Sequence, residues 1–187
     1  MPYYNAKKII QEGILSITFS VVANLAAGSL LNQWLEFLIA VPVLLTLAPS
    51  LGGMAGAIGS LFSARLSTAL HLGLVRPRIE KNDILMRNLF AVTTIALASS
   101  LYLCLATYIL SNFAGIGSLS LFDLARVIIM ASILVFTVTM TTAVSISFLS
   151  FRKNLDPGSA TIPIVTSIGD FAAASSLIVA VRILQLA

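Results

Sequence analysis

Asp170 has the most chemistry to offer in this chain, because it sits deep inside an apolar segment. An ionised carboxylate in hydrocarbon is costly and calls for a compensating role. It lies nine residues beyond Thr161, where the last apolar run begins. At ~1.5 Å per helical residue that is about 13–14 Å, near the middle of a ~30 Å hydrocarbon core. On a helix its neighbours at three, four and seven positions are Pro163, Thr166, Ser167, Ala173, Ala174 and Leu177. Such a small, weakly polar face suits close helix approach or the lining of a pathway. Hydroxyls beside a carboxylate are hard oxygen ligands suited to a cation. Pro163 adds to this set, since a proline within a helix frees the carbonyl four residues earlier, near Ser159. The plainer alternatives are a carboxylate paired with a basic residue of another span, and a Pro163 that merely starts or kinks a helix.

A second stretch, "LGGMAGAIGSLFSAR", is rich in small residues. Gly52, Gly56 and Ser60 form one helical row, and Gly59 with Ser63 forms another, a spacing that lets membrane helices approach closely. Gly53, Gly56 and Ser60 are the expected pathway-lining positions here, and Ala173 and Ala174 their counterparts beyond Asp170. Arg65 is expected to reach the membrane surface or to pair with an acidic group, Asp170 among the candidates. His71 reads as an interfacial residue. Cys104 reads as a small packing residue, and it is the only cysteine, so an internal disulfide is excluded. Thr137, Thr141 and Ser145 share a helical row and suit either packing or a wet lining. Ser120, Asp123 and Arg126 read as a helix start, and Asp156 with Pro157 as an N-cap and first helical residue. No HExxH, GxSxG, P-loop or paired-cysteine site is present, so an enzyme is not expected.

These residues must be positioned by membrane helices. Of the 187 residues 58% are hydrophobic and only 10% charged, against roughly 25% charged in soluble domains. The mean hydropathy is +1.02. The class is therefore an all-α integral membrane protein in contact with a lipid bilayer, without a nucleic-acid partner. Five transmembrane helices are expected, at about 13–31, 35–74, 86–111, 124–150 and 161–186. The second is too long for one straight crossing and is expected to break near Pro49 to Gly53. Residues 1–12 read as a short cytosolic segment and 13–187 as one transport domain. The first apolar run reads as a span rather than a cleaved signal. Lys7, Lys8, Arg76, Arg78, Lys81, Arg87, Arg152 and Lys153 all fall on one side of a five-span arrangement. The positive-inside rule then places the N-terminus in the cytosol and the C-terminus outside a plasma membrane. Five spans are few for a pathway built between two repeats, so a two-fold homodimer is expected to supply the second copy.

"SARLSTALHLG" after the proline- and glycine-rich second span, and "DPGSATIPIVTSIGD" opening the fifth, resemble the MgtE-type divalent cation transporters. The likeness is nearer to the solute-carrier magnesium transporters and small archaeal members. Asp156, Pro157, Pro163, Thr166, Ser167, Gly169 and Asp170 meet the family's pattern, and the five-span unit covers nearly the whole chain. The resemblance implies two such units around a central pathway, here as a homodimer moving Mg2+ or a similar divalent cation. It implies an ion-binding role for Asp170, with spans two and five lining the pore; Thr166, Ser167 and Pro163 are expected beside Asp170 as further metal contacts. Family members often carry Asn in the glycine-rich part of span two, where this chain offers Met54, Ala57 and Ile58. A proton- or sodium-coupled exchanger, and a membrane assembly subunit without transport activity, are the other readings.

Overall fold

The computed structural model describes residues 6–78, 80–116, 119–153, 155 and 157–185. Six helices follow one another: α1 (Ala6–Gln33), α2 (Leu35–Ala40), α3 (Val43–His71), α4 (Asp83–Phe113), α5 (Leu121–Arg152) and α6 (Pro157–Ile183). Five of them are long and apolar enough to cross a membrane; α2 is not among these.

The second hydrophobic stretch is interrupted, though not where the sequence suggests. The break falls at Val41–Pro42, between α2 and α3, while α3 runs unbroken through Pro49 and Gly53. A proline pushes the residue before it out of the helical region, and Val41 is extended at φ −129°, ψ 83°. Pro49 costs α3 one backbone donor, but its ring lies on the exposed face of a helix whose other side is buried. Packing of that buried side outweighs the local loss.

Helix ends follow local chemistry. Asn82 accepts from the backbone N–H groups of Ile84 and Leu85 and so starts α4. Ser120 caps α5 as the sequence suggests: its hydroxyl accepts from the Asp123 N–H and donates to the Asp123 carboxylate, which also pairs with Arg126. Gly73 and Gly115, at φ +70° and +64°, end α3 and α4 in left-handed turns. In each case the following N–H bonds back to the helix, Leu74 to Ala69 and Ile116 to Ser111. Helix α6 begins at Pro157, as expected; Asp156, the expected cap, lies outside the described residues.

Helices α3 and α6 pack against each other at the centre, with α5 against both, α1 on α6, and α4 on α3 and α5. The core is divided into two apolar clusters. One gathers Leu44, Leu47 and Leu51 of α3 with Val127, Ala131 and Leu177. The other gathers Phe62 and Leu66 of α3 with Ala143, Phe148 and Val165. Between them, where α3 meets α6, lies a band of glycines, hydroxyls and one carboxylate.

Candidate cation site

Three glycines of α3 set the distance to α6. A β-carbon at Gly52 would collide with Asp170 Oδ1 and come within 3.3 Å of the Asp170 α-carbon. At Gly56 it would lie 2.8 Å from Thr166 Cγ2, and at Gly59 2.5 Å from Val165 Cγ1 and 2.7 Å from Thr139 Cγ2. Real β-carbons do not approach so closely, so the small residues are a requirement of the packing. Gly169 returns the contact from α6, where a β-carbon would sit 3.4 Å from Ala55 Cβ and 3.5 Å from the Gly56 nitrogen.

This brings the Asp170 carboxylate against the α3 backbone at Gly52. Asp170 is half-buried, and among the described residues it makes no hydrogen bond or ion pair. Arg65 is not its partner: the guanidinium is exposed and donates to Asn88 Oδ1 of α4 at 3.5 Å. A pairing that would have made Asp170 merely structural is thus absent among those residues.

The hydroxyls beside it are oriented by their own helix. Thr166 Oγ1 donates to the Ile162 carbonyl at 2.8 Å, and Ser167 Oγ donates to the Pro163 carbonyl at 2.9 Å. With the protons directed at backbone, the hydroxyl lone pairs remain as acceptors. The Pro163 carbonyl also accepts from Ser20 Oγ of α1 at 2.9 Å. Nothing in the local sequence signals this contact, because its partners are 143 residues apart.

The remaining expected positions separate into two groups. Gly53 is exposed with nothing within 4 Å of a β-carbon there, and Ser60 is half-buried with its hydroxyl on the Ala57 carbonyl. Gly56 lies in the α3–α6 contact. Ala173 and Ala174, expected as lining, are packed in the interior at 0% and 2% exposure. Where the family often carries Asn, Met54 packs on both apolar clusters and Ile58 is buried, so only Ala57 lies on the open face. Thr137 and Thr141 donate to carbonyls of α5 itself, and His71 packs edge-on against Phe151. Cys104 is a buried core residue.

Among the described residues no three His, Cys, Asp or Glu side chains come together as a metal cage. Carboxylate and hydroxyl oxygens are donors of the type a hard cation takes, and Mg2+ usually keeps part of its water shell when protein ligands are few; of the two hydroxyl residues, Ser167 is buried at 2% exposure.

No curated protein and no solved structure matches the chain. The family model for MgtE, described as a divalent cation transporter, matches residues 48–180, from within α3 to near the end of α6. It thus covers both motifs and the Gly52–Asp170 contact, and the chain belongs to the MgtE family of divalent cation transporters.

Proposed function

We propose that two copies of this chain pair about a two-fold axis and conduct Mg2+ between them, with the two Asp170 carboxylates facing the path. The observation that carries this reading is the exposed face of α3. Ser50, Gly53, Ala57, Ala64 and Thr68 are exposed along it, with Ser60 half-buried and Leu45 and Leu61 the large aliphatic side chains among them, each at 39% exposure. The exposed faces of α1 and α4 also carry small and hydroxylated residues, but they present more large apolar side chains, and more fully, among them Leu15, Val22, Leu25, Phe90, Leu97 and Tyr102. Lipid is well served by large apolar side chains. A stripe of small and hydroxylated residues suits another helix or water.

Two carboxylates balance the charge of one divalent ion. Each protomer contributes Asp170, with Thr166 and Ser167 hydroxyls and the Pro163 region of α6 toward one side. Mg2+ yields its inner waters reluctantly, so the protein oxygens meet a largely hydrated ion. Protons compete with the metal for the carboxylates, and uptake falls as the pH is lowered. The basic end of the bundle faces the cytosol of a cell whose plasma membrane the protein spans. Uptake of Mg2+ into liposomes holding purified protein tests the reading. Asp170→Asn should abolish most of it, and unchanged uptake would remove the central claim.

A further inference from the structure

Hydroxyls in the helices of this chain commonly donate to a carbonyl three or four residues back in the same helix, as Ser60, Thr68, Ser100, Thr137 and Thr166 do. Ser63, Ser132, Thr139, Ser147 and Thr161 depart from this habit. They are at most 3% exposed, and their oxygens have no hydrogen-bond partner among the described residues. A polar group taken out of water without a partner costs free energy and calls for an explanation. Ser132 lines the groove between α4 and α5. The other four belong to the three helices that meet at the centre, α3, α5 and α6.

Their levels follow from one contact. A β-carbon at Gly59 would meet Thr139 of α5 and Val165 of α6. Ser63 comes one turn after Gly59, and Thr161 one turn before Val165. Because α3 and α6 are antiparallel here, both stand one turn further toward the same end of the bundle. In α5, Ala143 follows Thr139 by one turn and joins Phe62, Leu66 and Val165 in an apolar cluster, and Ser147 follows by two. At ~1.5 Å per residue the four hydroxyls span about 12 Å, from the Gly59 level toward the end marked by Arg152 and Lys153. In the other direction, beyond Asp170, the same helices are held together by Leu44, Leu47, Leu51, Val127 and Leu177. One half of the junction is built to stay dry, and the other gains hydrogen bonds when it is wet. Pro163, two residues after Thr161, costs α6 a backbone hydrogen bond at this level, and helices bend at such points.

We infer that the basic half of this junction is a gate. There α6 moves off α3 and α5, water enters, and Ser63, Thr139, Ser147 and Thr161 become part of a wet lining that leads toward Asp170. The apolar half stays packed and holds the three helices in register. Opening of this kind serves any cation transporter and does not require that the path run between two copies.

A water-soluble thiol reagent tests this on the full chain in liposomes. On a Cys104→Ala background, Ser63→Cys and Ser147→Cys put a thiol among the four hydroxyls, and Val127→Cys puts one in the apolar half. Methanethiosulfonate ethylammonium should react about tenfold faster or more with Ser63→Cys and Ser147→Cys than with Val127→Cys, because the opening is confined to one half. Equal rates for the three variants overturn the gate, whether all react or none does. Removing the hydroxyls gives a second reading. Ser63→Ala, Thr139→Val and Ser147→Ala each take away an unpaired buried group and should raise the melting temperature by about 2–4 °C. They should also slow Mg2+ uptake several-fold, because the packed state is favoured. A fall in melting temperature at these positions would show hydroxyls that serve packing alone and overturns the gate, as does unchanged uptake. The labelling needs no flux measurement, so it stands or falls apart from the effect of Asp170→Asn on uptake.

Discussion

The contact between α3 and α6 and the outer wall formed by α4 are built on opposite rules. In α3, 56% of the apolar window is buried, against 22% in α4. The α3–α6 contact uses Gly52, Gly56, Gly59 and Gly169, and at the three glycines of α3 an added methyl group would force a neighbour to shift. The α4 wall presents Phe90, Leu101, Tyr102 and Phe113 at 60% exposure or more. Hydropathy barely separates the two helices, since both are apolar enough to span a membrane. Side-chain size separates them. In a bilayer large residues can face lipid freely, whereas small ones mark where backbone, carboxylate or a second protein must come close.

That contrast can be broken most severely at Asp170. Asp170→Asn should reduce Mg2+ uptake into liposomes by about 100-fold or more, because each of the two protomers would lose a charge-assisted contact to the ion or its water, worth about 1.5–3 kcal/mol apiece. The same variant should lose the acid sensitivity of any residual flux, which a pH series of uptake would reveal. Next comes Gly52→Val, which forces a side chain into the carboxylate. Thermal melting in detergent should show a loss of about 1–3 kcal/mol, as overpacking usually gives, together with weaker metal protection. One residue on, Gly53→Val has open space and should leave the melting free energy within about 0.5 kcal/mol. If the α3 stripe lines a dimer path, that variant should still cut uptake several-fold; full uptake would place the stripe away from the path. The smallest effect is expected on the α4 wall. Leu101→Ala should change both stability and uptake little, by about 0.5 kcal/mol at most in melting experiments. A large effect there would show α4 to be an interface rather than a lipid-facing wall.

Much of this architecture is legible in the sequence because a membrane imposes it. Five apolar windows of sufficient length are visible in composition alone, and they match the five long helices. The Asp156–Asp170 motif pointed to the family, and the match over residues 48–180 bears this out. The position of the break in the second stretch was not legible. Pro42 and Pro49 look equivalent in a sequence, yet one ends a helix and the other is absorbed by it, depending on what the opposite face buries. Nor could the sequence say which glycine row meets Asp170. Gly52 and Gly53 are adjacent and identical, and only the rotation of α3 about its axis puts one under the carboxylate and the other in the open. The Ser20–Pro163 bond and the stacking of Arg182 over Trp34 at 4.2 Å join segments too distant for any local pattern to report.

The two prolines inside helices have a consequence for how an ion would travel. Pro49 lies three residues before Gly52 in α3, and Pro163 seven before Asp170 in α6. Because the helices are antiparallel at this contact, the prolines stand on opposite sides of the carboxylate level. Each deprives the carbonyl four residues earlier, Leu45 or Ser159, of its helical donor. On the proposed path the carboxylate would then be flanked by a weaker oxygen on either shoulder. A graded arrangement of that kind would let a hydrated ion step in and out without the abrupt change in its surroundings that a lone charge in hydrocarbon would impose.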